Sequence, residues 1–222
     1  MPNDNDKSAT DSLHNRSDQL DRRLNRLWIP GRRKQIATDS YDVAYSWREL
    51  DRPELAITNF QRAIDAFHNK KPRKSKDSLS AFSLVAACHN HIGLIHLDDD
   101  NFSLAIANFG DAIQLRRLLK QLFPDNRENQ IYLGGALCNL GLAYKPTSPV
   151  EAADCFRQSL SELQIPDKPC ECSYWDEQRQ SWWCEQLEAL GRAAGFAWVD
   201  LAPRFIDNAM VGLDGLSENS ET

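Results

Sequence analysis

One segment of this chain repeats another, and that repetition constrains the fold more than any other feature. The segment NFSLAIANFGDAI, which ends at Ile113, matches ELAITNFQRAI, which ends at Ile64, at seven positions. Ala105 and Phe109 of the later copy stand where Ala56 and Phe60 stand in the earlier one. An internal repeat of this kind marks a supersecondary unit that cannot bury its apolar face alone and must stack on its neighbours.

Each copy has the pattern of a helix, a turn and a second helix. The three first helices are YDVAYSWREL, LVAACHNHIGLIHL and IYLGGALCNLGLAYK, and the three second helices are ELAITNFQRAIDAF, FSLAIANFGDAIQLRRLL and VEAADCFRQSLSEL. Small residues occupy one position of the first helix, and phenylalanines occupy one position of the second. These residues are Ala44, Gly93 and Gly141, opposite Phe60, Phe109 and Phe156. We expect each phenylalanine to fill the space that the small residue leaves between the two helices.

This order of a bulky residue, Leu-Gly, an aromatic residue and then Ala, Phe and Ala resembles the tetratricopeptide repeat (TPR), a helix pair of 34 residues. The resemblance covers residues 37 to 163, and the third copy is the weakest. The phenylalanines are 49 and 47 residues apart, so we expect a variant with long helices. The resemblance implies an all-α fold, a right-handed superhelix of about three helical hairpins in residues 37–165.

The flanking segments are predicted from their composition and periodicity. Residues 1–16 and 215–222 are polar and are expected to be disordered tails. Residues 17–36 are expected to form an amino-terminal docking helix, with Leu20, Leu24, Leu27 and Trp28 on one face, and a basic linker. Residues 166–214 are expected to cap the repeats, because the last repeat would otherwise expose an apolar flank. The tryptophan-rich stretch 173–195 is the expected capping helix, and the stretch 195–213 is ambiguous between an extended piece and a bent helix.

Charge is segregated along the chain. The net charge is -6, which disfavours a general nucleic-acid-binding protein, yet two basic segments hold 11 of the 26 Lys and Arg residues. These residues are Arg22, Arg23, Arg26, Arg32, Arg33, Lys34, Lys70, Lys71, Arg73, Lys74 and Lys76. The second segment is interpreted as a nuclear-import-like sequence, a contact for phosphates or an acidic partner, or a solvated loop. The first segment is interpreted as an interaction element, or as a partner of the chain's own acidic helices.

The resemblance implies that a peptide or a helix binds in the concave face lined by the first helices. The residues at the family's groove positions are Tyr41, Tyr45, Arg48, Asn90, His91, Leu94, Asn139, Leu142 and Lys145. Some members of the family clamp a carboxyl terminus with a set of Lys, Asn and Arg residues. The corresponding positions here are Tyr41, Tyr45, His91, Gly135 and Asn139, so we predict no clamp of that kind.

No motif recommends catalysis, a metal or a cofactor. His89, His91 and His96 do not share one helix face, and the pattern of Cys170, Cys172 and Cys184 has no fourth ligand nearby in the sequence. The six cysteines are expected to be reduced, and the absence of a secretory or membrane-spanning pattern predicts a cytoplasmic protein. We therefore expect a non-catalytic adaptor, assembly factor or regulatory subunit. Two alternatives stay open, which are a nucleic-acid-associated scaffold using segments 22–34 and 70–76, and an enzyme whose site is formed by the carboxy-terminal segment.

Overall fold

The computed structural model describes residues 4–24, 32–163, 173–176, 181–184 and 198–217, and this part of the chain is almost entirely helical. Its helices are α1 (Asp4–Leu24), α2 (Arg32–Glu49), α3 (Pro53–Asp65), α4 (Lys76–Asp98), α5 (Phe102–Leu122), α6 (Arg127–Tyr144), α7 (Pro149–Leu163) and α8 (Trp198–Ser217). Two short strands, β1 (Ser173–Asp176) and β2 (Ser181–Cys184), lie between α7 and α8. The chain divides into two compact units, Met1–Phe123 and Pro124–Thr222, so the expected single repeat domain 37–165 spans a unit boundary.

In the first unit, the two clearest repeats each form a pair of packed helices. Helix α2 packs on α3 and α4 packs on α5, while α4 also contacts both helices of the preceding pair. The two turns have the same backbone signature, because Asp51 and Asp100 have φ values of 56° and each stands two residues before its second helix. An ideal Cβ on Gly93 would lie 2.6 Å from the Phe109 ring. The expected nesting of a phenylalanine against a small residue is therefore present in this pair.

The extra residues between the phenylalanines lengthen the helices, as the sequence predicts. Helix α4 has 23 residues and α5 has 21. Their added turns pack on each other through buried Phe82 and Leu119, with Phe67 and Phe123 at the edge. Helix α4 is also long and apolar enough by composition to cross a membrane. Its packing against α3 and α5 gives that apolar content a second explanation, since eight of its residues are buried inside the unit.

The amino-terminal segment differs from the sequence expectation. Residues 1–16 are expected to be disordered, but α1 begins at Asp4 and runs to Leu24. Leu13 and Leu20 are buried in the core of the first unit, and Arg62 of α3 donates hydrogen bonds to the Ser17 hydroxyl and the Asp21 carboxylate. These tertiary contacts stabilise a helix whose own composition is too polar to favour it. The expected docking role of Leu20 is present, whereas Leu27 and Trp28 lie outside the described residues.

In the second unit, α6 and α7 form the third helix pair and α8 packs on both. Three glycines of α6 allow close approach of other side chains. Ideal Cβ atoms on Gly134, Gly135 and Gly141 would lie 2.5 to 2.6 Å from Leu163, Phe205 and Phe156. Ser159, which replaces the last alanine of the repeat, is buried and donates a hydrogen bond to the Gly134 carbonyl oxygen at 2.7 Å. The third copy thus keeps the nesting of Gly141 on Phe156.

The carboxy-terminal prediction is corrected in two respects. Part of the expected capping helix forms an antiparallel hairpin, in which Trp175 pairs with Trp182 and Tyr174 pairs with Trp183. Aromatic residues favour strands and stabilise cross-strand pairs, which explains the preference for a hairpin. The capping position is taken instead by α8, which begins at Trp198 within the stretch left ambiguous and extends through Ser217 into the expected tail. Residues 185–197 and 218–222 lie outside the described part.

Candidate functional site

Five side chains of the first unit form a compact group, which we call the histidine cluster: Tyr41, Tyr45, Arg48, Phe60 and His91. Tyr41, Tyr45 and Arg48 follow one another at helical spacing along one face of α2. His91 comes from α4 and lies over Phe60 of α3, with ring centroids 5.1 Å apart and ring planes only 7° from parallel. Helix pairing thus brings together residues that are 50 positions apart in sequence.

Both ring nitrogens of His91 have partners. The Arg48 guanidinium nitrogen Nη1 lies 3.0 Å from Nδ1, and the Tyr41 hydroxyl lies 3.0 Å from Nε2. A guanidinium only donates hydrogen bonds, so Nδ1 must be the acceptor. We therefore assign the proton to Nε2, which donates to the Tyr41 oxygen. This tautomer fixes the ring and, through it, the position of Arg48.

The imidazole of His91 is held in its neutral form. Burial lowers the pKa of His91 to about 4, and the positive charge of Arg48 acts in the same direction. A protonated ring would have no lone pair on Nδ1 for Arg48, which is consistent with that shift. Because both nitrogens are engaged, the ring serves to position its neighbours, and binding a metal ion would require one of the two contacts to break.

Tyr45 and Arg48 are the members of the cluster best suited to bind a partner, because solvent reaches both side chains. Tyr45 is 45% exposed and lies beside Tyr41 and His91, with ring centroids 6.5 and 5.9 Å away. Arg48 is half-buried. Within the described ranges, no carboxylate lies within ion-pair distance of its guanidinium, and His91 is its only hydrogen-bond partner. The surface therefore presents an aromatic ring next to a positioned positive charge.

Asn90 and Leu94, which the sequence also assigns to the groove, lie on α4 next to His91 and one turn after it. Both are half-buried. The structure therefore places six of the nine expected groove residues on the neighbouring helices α2 and α4 of the first unit. Phe60, which the sequence assigns to packing alone, is a seventh contributor because it supports the His91 ring.

The other three expected groove residues belong to the second unit, and their surroundings differ from the prediction. Asn139 is buried, and Leu142 packs in a cluster with Phe156 and Ala209 of α8. Lys145 is half-buried with its ammonium group 2.9 Å from the ideal Cβ position of Gly215. Helix α8 thus covers the face of α6 that was expected to be open. Sequence reasoning left this helix undecided although a signal existed, because Val211-Gly212-Leu213 repeats the pattern of Ile92-Gly93-Leu94.

The two basic segments come together at one end of the first unit. Arg23 pairs with Asp39 at 2.7 Å, and Lys34 lies 3.5 Å from Asp77, which follows the second segment. Arg33 donates to the carbonyl oxygen of Ala66, where the loop between α3 and α4 begins. The exposed cations of this surface, which we call the basic end, are Arg22, Arg23, Arg32, Lys34, Lys70, Lys71, Arg73, Lys74 and Lys76. Arg26 lies outside the described residues.

Other candidate ligands of metals are not assembled in the described part of the chain, where no group of three or more His, Cys, Asp or Glu residues could hold a metal ion. His89 contacts Asn108 and lies 3.8 Å from Asp111. Cys88 and Cys138 are buried thiols, and burial raises the pKa of Cys138 to about 12. Cys170, Cys172 and the Cys184 side chain lie outside the described residues.

Comparison of the chain with protein-family models and with curated proteins finds no match in either case.

Proposed function

We propose that this chain is a non-catalytic, cytoplasmic protein of the tetratricopeptide type that binds a polypeptide segment on the face formed by α2 and α4. The support for the repeat type is structural equivalence between successive hairpins. The turns of the first two share a left-handed Asp, and the second and third share a glycine whose Cβ would lie 2.6 Å from a phenylalanine ring. Helices stacked in this way leave a surface of first helices open to a partner.

The observation that carries the proposal is the histidine cluster. Tyrosine and arginine, together with tryptophan, are enriched among the residues that carry most of the binding energy of protein interfaces. Here the rings and the guanidinium are already positioned by the contacts of His91 with Tyr41, Arg48 and Phe60. Side chains that are ordered before binding lower the entropic cost of association. The cluster thus supports recognition, and we propose no reaction for it.

The test uses Tyr45→Ala with Leu104→Ala as its matched control. Both side chains are 45% exposed, but Leu104 lies on α5, which contributes no residue to the cluster. Proteins captured by wild type from the native host are identified by mass spectrometry, then purified and titrated by calorimetry. We expect Tyr45→Ala to weaken binding about 10-fold or more and Leu104→Ala to leave it unchanged. Equal effects of the two variants, or a collapse of the thermal midpoint in Tyr45→Ala alone, would count against the proposal.

A second candidate function, a nucleic-acid-associated scaffold, is favoured by the convergence of the two basic segments at the basic end. Phosphate contacts predict an affinity that falls steeply with salt. We expect any such binding of a 20-base-pair duplex to be weakened by Lys70→Gln with Lys74→Gln. The charge-matched pair Arg52→Gln with Arg157→Gln, whose residues are exposed and outside the basic end, should have no effect. Undetectable duplex binding at 50 mM salt would remove this candidate.

A further inference from the structure

The half-buried guanidinium of Arg48 has unmet hydrogen-bonding capacity. A guanidinium carries five N–H donors, and in the described part of the chain only His91 accepts from this one. Placing a charge in a partly buried site is costly unless a counter-charge or hydrogen bonds compensate it. Glu49, the adjacent residue, is exposed and makes no ion pair with Arg48. The counter-charge is therefore missing from the described residues of the chain itself.

From this arrangement we infer that Arg48 is the receptor for a carboxylate of the bound polypeptide segment. The inference rests on the proposed function and adds the chemistry of the partner. With Nη1 directed to His91, the remaining N–H groups can form the paired contacts that arginine makes with a carboxylate. His91 is a positioning residue, because its neutral Nδ1 accepts from Arg48 and holds the fork in place. The cluster shares Tyr41, Tyr45 and His91 with the family's clamp positions, but its charged group, Arg48, is not one of those positions.

The surroundings favour a carboxylate on a polypeptide over a free phosphate group. The cluster supplies one positive charge, since burial keeps His91 neutral, whereas a phosphate dianion needs more compensation. Tyr45 lies one helical turn before Arg48, and its exposed ring can cover the aliphatic part of the same segment. The ligand is therefore a segment with an acidic group beside an apolar one. The carboxylate can come from Asp or Glu within the segment, or from its carboxyl terminus.

Two peptide libraries distinguish these sources. Random 12-residue peptides are displayed on phage either with a free carboxyl terminus or with a blocked one, and both libraries are selected on the full chain. Peptides that also bind Tyr45→Ala are discarded. An Asp or Glu at a fixed position in both libraries indicates a side-chain carboxylate, and enrichment only in the free-end library indicates a terminal one.

A double-mutant cycle then tests contact with Arg48 directly. A selected peptide and its amide counterpart, Glu→Gln or a carboxy-terminal amide, are measured against wild type and Arg48→Gln by fluorescence anisotropy. We expect the amide to weaken binding to wild type about 10- to 100-fold, as is typical of a charged hydrogen bond, and to make little difference to Arg48→Gln. Arg52→Gln removes an exposed charge nearby in the sequence and should behave as wild type.

Each outcome bears on the inference. Peptides that need Tyr45 but show no preference for an acidic group would overturn it while leaving the proposed function intact. Selection that yields no Tyr45-dependent peptide would count against both. The two peptides can also be compared on wild type alone. Equal binding of the acidic peptide and its amide would overturn the inference even if circular dichroism showed that Arg48→Gln does not fold.

Discussion

The close approach of α4 and α5 gives the sharpest test of how the repeat is held together. Gly93→Ala adds one methyl group, whose carbon would lie 2.6 to 3.0 Å from three atoms of the Phe109 ring. Phe109 is fully buried, so its ring can move aside only by displacing its neighbours. Overpacking of this kind costs about 1–3 kcal/mol. Alanine in place of glycine also favours the helix by about 1 kcal/mol. The net change in the free energy of unfolding is therefore a poor measure of the packing cost.

Gly110→Ala is a control that isolates the packing cost. Gly110 lies in α5 of the same unit, and an ideal Cβ there has no neighbouring atom within 4 Å. Its substitution should stabilise the protein by about 0.5–1 kcal/mol through helix propensity alone. Since that contribution is shared, the difference between the two variants should equal the overpacking cost of about 1–3 kcal/mol. Urea unfolding followed by circular dichroism at 222 nm measures it.

A third variant establishes where the cost arises. In Gly93→Ala combined with Phe109→Leu, the smaller side chain should relieve the contact, giving a favourable coupling of about 1 kcal/mol or more. If Gly93→Ala stabilises the protein as much as Gly110→Ala does, the Gly93 backbone and the Phe109 ring are not in contact. The nesting that relates the hairpins would then be wrong.

Three further predictions concern pH, α1 and α8. The pKa of His91 is lowered from 6.5 to about 4, so as pH falls the unfolded state takes up a proton on this residue before the folded state does. The free energy of unfolding should therefore keep the whole contribution of His91 above pH 6.5 and decrease by about 2–3 kcal/mol toward pH 4. In urea titrations at both pH values, the free energy of unfolding of His91→Gln should decrease less than that of wild type. An equal decrease in the two proteins would refute the assignment of a neutral, buried His91. Arg62→Met should release α1, costing about 1–3 kcal/mol and speeding trypsin cleavage there, whereas Arg157→Met, which breaks an exposed pair with Asp154, should cost under about 0.5 kcal/mol. Deleting residues 198–222 should cause aggregation and dye binding by exposing the partners of α8, unlike deletion of 218–222; a soluble, cooperatively unfolding protein would show that α8 is not a cap.

The helices from α2 to α7 could be predicted from the sequence because their apolar patterns are local and periodic, although α2 begins at Arg32, within the stretch 17–36 that was expected to hold a basic linker. Small residues and phenylalanines recur at fixed spacing, and Pro53 and Pro149 begin second helices as their fixed φ favours. The added length of α4 and α5 could be predicted for the same reason, because the apolar periodicity continues through the added turns. These elements carry their own structural signals, and the tertiary structure agrees with them.

The ends of the chain were predicted poorly because their structure depends on distant contacts. Composition makes the first residues look disordered, while α1 is fixed by Leu13 and Leu20 in the core and by Arg62 from α3. No local pattern reveals that arginine's role. The candidate site shows the same limit, because the sequence placed Tyr41, Arg48 and His91 in one groove without indicating their hydrogen bonds.

The two units use the same repeat differently, and the residue that packs on the phenylalanine of the repeat explains the difference. In the second unit, Phe156 lies between Gly141 and Gly212, whose ideal Cβ atoms would be 2.6 and 2.5 Å from its ring. With no side chain on Gly212, α8 approaches closely and covers the third repeat.

In the first unit, the cover over Phe60 is the imidazole of His91, stacked at 5.1 Å. A ring in that place fills the space that a closely approaching backbone would take, and its two nitrogens extend the contact to Tyr41 and Arg48. Phe60 is thus covered by a histidine ring and Phe156 by a glycine of α8, and the histidine gives the first unit a surface with polar and charged groups at its edge. This is the physical reason to look for a partner at α2 and α4 rather than at α6.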